Sequence, residues 1–224
     1  MKSALVTGTS KGLGLELARG LLAHGYRVIG VSRSRSKVEH ENYHHLSADI
    51  TNERYPQDLS EFVERNHFNR IDILVNNAGV RSSGSDIVGV TAEEVMRQFK
   101  LHCIGALTTI QVLQPMLEQS KIVNVTSRLG STRFNQRGDF VGRGFTYGYR
   151  IAKAAQNMLS LCLAVDEELT GNVIISIIPG LLRTDSGADD ARNSAAEGAK
   201  AVLEKILSVN ASGVYHAFED EAAY

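Results

Sequence analysis

Three glycines within seven residues, Gly8, Gly12 and Gly14, separate an apolar run from an amphipathic one. The run before them, Ser3-Ala4-Leu5-Val6-Thr7, suits a buried strand. After them, Leu15, Ala18, Leu21 and Leu22 recur at helical spacing, and Gly25 is placed to end that helix. Strand, glycine loop, helix is the context in which a glycine pattern reads as a dinucleotide site. Glycines let the backbone turn tightly and approach a pyrophosphate, and the helix N-terminus presents unpaired N–H groups to the anion. The loop Gly8, Ser10, Lys11, Gly12, Leu13, Gly14 is therefore the first candidate cofactor site. Its spacing is G-x-x-x-G-x-G, not G-x-G-x-x-G.

The rest of the chain continues the alternation. Strand-like runs recur at Ser3–Thr7, Arg27–Ser32, His44–Ala48, Ile71–Asn76, Lys121–Thr126, Val173–Ile178 and Gly213–Ala217. Helical patterns fill most gaps, at Leu13–His24, Leu59–His67, Ala92–Leu117, Tyr149–Leu169 and Ala195–Val209. No repeat, low-complexity segment or linker divides residues 1–224. The expectation is a single α/β domain: a Rossmann-type, doubly wound parallel sheet of about seven strands with helices on both faces.

Tyr149 and Lys153 stand four residues apart in a helical stretch, so their side chains share a face. An ammonium near a phenol favours its ionised form and suits it to general acid–base work nearer neutral pH. Together with the glycine spacing, this Tyr-x-x-x-Lys resembles the short-chain dehydrogenase/reductase family. Asn76-Asn77-Ala78-Gly79, Ile122-Val123-Asn124-Val125-Thr126-Ser127 and Pro179-Gly180-Leu181-Leu182-Arg183-Thr184 match three more of that family's segments, in order. The resemblance implies hydride transfer between a nicotinamide and a carbonyl or alcohol. Tyr149 would supply the proton and Ser127 would hold the carbonyl oxygen. Lys153 would lower the phenol pKa and grip the nicotinamide ribose. It also implies that Asp49 and Ile50 meet the adenine, that Asn76, Ala78 and Gly79 line the adenosine ribose, and that Pro179, Gly180 and Thr184 hold the carboxamide or pyrophosphate.

Cofactor choice is read at the end of the second strand, where an NAD site usually has an acid for the ribose 2′-hydroxyl. Here stands Val31-Ser32-Arg33-Ser34-Arg35, and Glu39 comes too late. Arg33 would meet a 2′-phosphate as a planar, permanently charged donor; the bland alternative is a solvated loop arginine. Lys11 matches a second basic position of NADP-dependent family members. NADP(H) is the expected cofactor.

Two departures from the family pattern stand out. In its Asn-x-x-Gly segment this chain has His102-Cys103-Ile104-Gly105. Three readings of His102 stay open: it replaces the asparagine in the proton relay, the relay is impaired, or the histidine is structural. Ser127 and Tyr149 are also 22 residues apart, wider than the family's usual spacing. The segment between them is rich in glycine and arginine from Arg133 to Phe145. It either overhangs the substrate, with arginines for an anionic group or phenylalanines for an apolar one, or is a surface loop with no substrate role. The words Ser127-Arg128-Leu129-Gly130-Ser131 and Tyr147-Gly148-Tyr149-Arg150 are similar to C-factor-type and sniffer-type carbonyl reductases. Substrate loops are expected at about 128–148 and 185–194. The second is short and polar, which favours a small or polar carbonyl compound over a large steroid-like one.

Composition excludes other classes. A net charge of −1 leaves no nucleic-acid footprint, and no apolar run nears the ~18 residues a bilayer needs. Cys103 and Cys162 read as buried free thiols of a cytoplasmic protein. His40-Glu41-Asn42-Tyr43-His44 satisfies H-E-x-x-H but leads into a strand, so no metal is expected. A homodimer or homotetramer through the two long helices is expected by resemblance, with Ala154, Met158, Leu161 and Val165 facing either the sheet or a partner. The leading reading is an NADPH-dependent carbonyl reductase. The alternative is a dinucleotide-binding regulatory or signalling protein with little turnover, and a third is an enzyme whose partner subunit supplies the substrate.

Overall fold

The structure is a computed structural model and describes residues 1–80, 86–138, 146–184 and 191–218. The seven expected strands form one sheet: β1 (Ser3–Thr7), β2 (Arg27–Ser32), β3 (Tyr43–Ser47), β4 (Ile73–Asn76), β5 (Lys121–Val125), β6 (Val173–Ile178) and, last in the chain, β9 (Gly213–His216). Every pairing is parallel, in the order β3-β2-β1-β4-β5-β6-β9. Strand order reverses between β1 and β4, and a crevice for a ligand opens at such a point beyond the carboxyl ends of the strands.

Period-2 alternation along the strands splits the core in two. Ala4, Val6, Ile73, Val75, Val123, Ile175 and Ile177 meet one pair of helices, α1 (Gly12–Ala23) and, near the carboxyl end, α7 (Ala195–Ser208). Leu5, Leu74, Ile122 and Ile174 point the other way, towards α2 (Tyr55–Arg65), α4 (Gly105–Leu113) and α6 (Tyr147–Ala164). Strands buried on both faces explain why these runs are almost continuously apolar.

Several elements differ from the sequence reading. The expected helix at Ala92–Leu117 is broken into α3 (Ala92–Phe99), a single π turn over Lys100–Ile104, α4, and a 3-10 turn at Gln114–Met116 that contains Pro115. α2 begins four residues earlier than Leu59, because Pro56 sits in the first turn, where its missing N–H costs nothing. The helix expected to reach Leu169 stops at Ala164, and Leu169 lies in a separate 3-10 turn capped by Asp166. The segment after Ser127 folds a short helix, α5 (Thr132–Gln136), while residues 139–145 of that loop lie outside the described residues. Beyond Pro179, β7 (Leu182–Arg183) and β8 (Asn193–Ser194) form a small parallel ladder. Of the polar substrate loop expected at 185–194, residues 185–190 lie outside the described residues, and Asn193–Ser194 form β8.

Cys103 is buried, but Cys162 is exposed on α6, which corrects the expectation for that thiol. Met158, Leu161 and Val165 are also exposed, so they do not face the sheet. His44 lies in β3, and its ring meets the Phe68 ring edge-on, so the helical face that H-E-x-x-H requires does not form.

Candidate active site

The glycine loop is held by contacts too close for any other residue. Gly8 and Gly12 have φ of +80° and +61°, in the left-handed region that a side chain disfavours. A Cβ on Gly14 would stand 2.3 Å from the Gly8 carbonyl oxygen, and one on Gly8 2.8 Å from Ala78 Cα. The loop is thus pressed against the segment following β4. Asn77 latches the two: its Nδ2 donates to the Thr7 carbonyl at 2.9 Å. The amides of Asn77 and Ala78 both donate to Thr7 Oγ1 at 3.0 Å. A second prop lies beneath the loop, where Tyr43 Oη donates to Thr9 Oγ1 at 3.0 Å. Gly30 makes room for it, since a Cβ there would meet Tyr43 Oη at 2.0 Å.

This cradle opens into a cleft of ≈ 1790 Å³. Gly8, Ser10, Lys11, Gly12, Leu13 and Gly14 line one wall. Thr184 closes on the loop, with its Cγ2 only 3.5 Å from where a Gly12 Cβ would be, and Pro179 and Gly180 lie beside it. Arg33, Asp49, Ile50, Ala78 and Gly79 line the cleft as well. Asn76 does not. It is buried within the sheet, where its Nδ2 donates to Asn124 Oδ1 at 2.9 Å. Strand alternation sends Asn76 to the same side as Leu74, towards α6, so Asn77 and not Asn76 reaches the loop.

At the far end of β2, Arg33 and Asp49 approach at 3.8 Å, the arginine well exposed and the aspartate partly so. Asp49 Oδ1 also accepts from the Thr51 amide at 2.9 Å and the Thr51 hydroxyl at 2.7 Å. The carboxylate is therefore fixed by its own turn, while the exposed ion pair adds at most about 1 kcal/mol.

The catalytic candidates meet where β5, the π turn and α6 converge. Ser127 lies two residues past the end of β5, and its Oγ accepts from the Leu129 amide at 3.2 Å, capping the turn Arg128–Gly130. That local bond occupies one lone pair and leaves the hydroxyl proton available to donate. Gly130 lets the turn lie against α6, because a Cβ there would be 2.6 Å from the Lys153 carbonyl carbon. Lys153 Nζ stands 5.8 Å from the centre of the Tyr149 ring. It donates to the Val125 carbonyl at 2.6 Å and to Gln156 Oε1 at 2.8 Å. Burial lowers the Lys153 pKa to about 7.

His102 lies in the π turn, with its ring edge-on to Tyr149 at 5.2 Å between centroids. Its Nε2 is 3.1 Å from both the Val80 carbonyl and Gln98 Oε1. Burial first, and then the Lys153 charge, hold its pKa well below the ordinary histidine value. Sequence reasoning missed Asn77 as the loop's latch, Tyr43 as its prop, and Gln98 and Gln156 as partners of His102 and Lys153. For Gln156 the signal was a polar residue on the inner face of α6; α3 is rich in polar residues, so nothing in its sequence singled out Gln98.

The class follows from the loop and its latch at the switch point: an α/β dinucleotide-binding domain. Comparison with known proteins narrows it. A family model described as short chain dehydrogenase matches residues 2–195, and the chain belongs to that family of oxidoreductases. Its relatives include C-signal of Myxococcus xanthus, 32% identical over 143 residues that span 62% of this chain and 82% of that protein. The carbonyl reductase Sniffer of D. melanogaster superposes with a TM-score of 0.86 at 23% identity, covering 97% of each chain. An NADPH-bound carbonyl reductase from chicken fatty liver superposes with a TM-score of 0.84 at 24% identity, covering 97% of this chain and 96% of that one. At these identities the two structures bear on the fold. The nearness to C-factor-type and sniffer-type proteins read from the words around Ser127 and Tyr149 agrees with these matches.

The buried lysine generates a prediction about stability. With its pKa at about 7 in the folded protein and 10.5 as the ordinary value, the unfolded chain holds the Lys153 proton over a window where the folded chain has released it. Raising the pH through that window therefore favours folding, by up to about 1.4 kcal/mol per pH unit. In urea unfolding of the cofactor-free protein, wild type should gain stability relative to Lys153→Met between pH 7.5 and 9.5. Parallel pH profiles for the two would contradict the buried, deprotonating lysine.

Proposed function

We propose that the protein is an NADPH-dependent oxidoreductase acting on a carbonyl or alcohol substrate. The observation that carries this reading is the convergence of Ser127, Tyr149 and Lys153 on the cleft that starts at the glycine loop. The residues suit the cofactor: Gly8 and Gly14 form a cradle that a Cβ would fill, the α1 N-terminus faces it, and Lys11 and Arg33 supply positive charge. Bound NADP(H) supplies or accepts the hydride.

In the reducing direction, negative charge grows on the substrate oxygen, and Tyr149 donates its phenolic proton there. Ser127 hydrogen-bonds the same oxygen through the hydroxyl proton that its turn leaves available. The charged form of Lys153, one turn along α6, favours the phenolate left on Tyr149, and that form is lost as the pH rises past about 7. Arg33 pairs with the 2′-phosphate, which distinguishes NADPH from NADH. An NADPH-bound fold relative and an "NADPH-dependent pterin aldehyde reductase" of Arabidopsis thaliana, 29% identical over 196 residues, support this choice. Phe134, Leu181 and Arg128 line the mouth of the cleft, where they suit a small carbonyl compound with both apolar and polar parts. A reducing cytoplasmic setting fits two cysteines that carry no disulfide.

The exposed apolar residues Ile104, Ile151, Met158, Leu161 and Val165 on α4, α6 and their flanks suit a face shared with a second copy of the chain. Sedimentation velocity should give a dimer or tetramer, and Leu161→Glu should shift it towards monomer; a wild-type monomer at micromolar concentration would remove this part of the reading.

For the reaction itself, NADPH oxidation with a panel of aldehydes, ketones and quinones should proceed. Tyr149→Phe should lower kcat by roughly 10²- to 10⁴-fold with cofactor binding intact. Tight NADPH binding without turnover of any compound would favour the regulatory reading. Arg33→Ala should weaken NADPH by about 10- to 100-fold and leave NADH nearly unchanged. Equal affinities for the two cofactors in wild type would refute the assignment of Arg33.

A further inference from the structure

His102 has two ring nitrogens in contrasting surroundings. Nε2 faces two oxygens, the Val80 carbonyl and Gln98 Oε1, each at 3.1 Å. Nδ1 is buried and meets no hydrogen-bond partner among the described residues. The Cε1–Nδ1 edge is packed against Gly79, where a Cβ would stand 2.3 Å from Cε1 and 2.8 Å from Nδ1.

The identity of the Gln98 atom facing His102 is settled by its other end. Gln98 Nε2 donates to Glu94 Oε1 at 3.1 Å, so the amide oxygen is the atom turned to the histidine. Glu94 is in turn held by Arg97, which donates to both carboxylate oxygens at 2.8 and 3.0 Å. Gln98 itself is fully buried, and Gly148, the residue before Tyr149, makes room for it, since a Cβ there would be 3.1 Å from Gln98 Cγ. An amide oxygen can only accept, and a carbonyl can only accept, so both require a proton on Nε2. A neutral imidazole with hydrogen on Nε2 has a bare lone pair on Nδ1.

We propose that Gln98, itself oriented by Glu94, is a positioning residue that together with the Val80 carbonyl fixes His102 as the Nε2–H tautomer and leaves Nδ1 as an acceptor beside Gly79. The proposal rests on the oxidoreductase reading for its catalytic consequence, but not for the tautomer. Of the three readings of His102 open from the sequence, it selects replacement of the asparagine in the relay, by an acceptor held in one orientation. An asparagine at this place carries both a donor and an acceptor, whereas this histidine presents only a lone pair. The charged and titratable groups around it are Lys153 and Tyr149 on α6, and Arg97 and Glu94 on α3. Lys153 and Arg97 both oppose its protonation, in keeping with a neutral ring through the working pH range.

The test begins with ¹⁵N-histidine NMR of the cofactor-free protein, with His102→Asn identifying the signal. Wild type should show a neutral Nε2–H ring with no titration between pH 6 and 9. Gln98→Met, which keeps the volume but removes one of the two acceptors and leaves the Val80 carbonyl, should shift the Nε2 signal and admit a minor Nδ1–H population. Gln98→Glu should keep hydrogen on Nε2 and move His102 protonation to higher pH. An Nδ1–H ring in wild type, or a Gln98→Met signal identical to wild type, would overturn the proposal.

The kinetic arm is a double-mutant cycle. Gln98→Met should lower kcat by about 10-fold with the NADPH KM little changed, a size typical of one misplaced hydrogen-bonding group. In the His102→Asn background the same substitution should have no further effect. An equal loss in both backgrounds would assign Gln98 a packing role and refute the proposal. Absence of turnover by wild type would count against the oxidoreductase reading, while the NMR result would still decide the tautomer.

Discussion

One threonine hydroxyl joins the two halves of the sheet where the site is built. Thr7 Oγ1 accepts from the amides of Asn77 and Ala78, tying the end of β1 to the end of β4 at the switch point. Each such bond contributes only about 0.5–1.5 kcal/mol net, yet leaving the groups unpaired in the interior would cost more. The geometric effect is larger than the energetic one. It presses Gly8 and Gly14 onto Asn77 and Ala78, which aims the α1 N-terminus into the cleft. It also starts the Ala78–Val80 segment on the path that brings Gly79 against His102. The glycine cradle and the His102 pocket share one anchor.

The catalytic end is unusually polar for a buried place. Lys153, His102, Gln98, Gln156, Asn124 and Asn76 all have less than a twentieth of their surface exposed. Groups of this kind destabilise a fold unless each finds a partner. The partners come in short chains: Glu94 to Gln98 to His102 on one side, and Lys153 to Gln156 on the other. Beneath them Asn76 and Asn124 join β4 to β5, and Asn124 reaches Ser160 of α6 at 2.8 Å. Lys153 nonetheless stays depressed in pKa, since its two neutral acceptors do not replace the water it has lost.

Much of the fold was legible because its signals are local. Apolar runs, the glycine loop and Gly25 at the end of α1 each announce themselves within a few residues. The Tyr149–Lys153 spacing is likewise local, and so is the Ser127 strand. The break in the long helix at Lys100–Ile104 was not legible, because the π turn contains neither glycine nor proline and continues directly into helix on both sides. The pairings that matter most span distances the sequence does not show: Thr7 with Asn77, Thr9 with Tyr43, Lys153 with Val125. Asn76 was read as a ribose contact because it opens a familiar word, and the parity of its strand turns it the other way.

The prop beneath the glycine loop has a consequence for how the molecule breathes. Tyr43 belongs to β3, which lies at the margin of the sheet and is paired on one side only. Marginal strands are the first to open in local fluctuations. Here the marginal strand carries the side chain that holds Thr9 in place, so each opening of β3 loosens the phosphate cradle. A nucleotide that stiffens the loop must therefore also slow amide exchange along Tyr43–Ser47, although that strand only borders the cleft. The outer edge of the sheet is thermodynamically part of the nucleotide site.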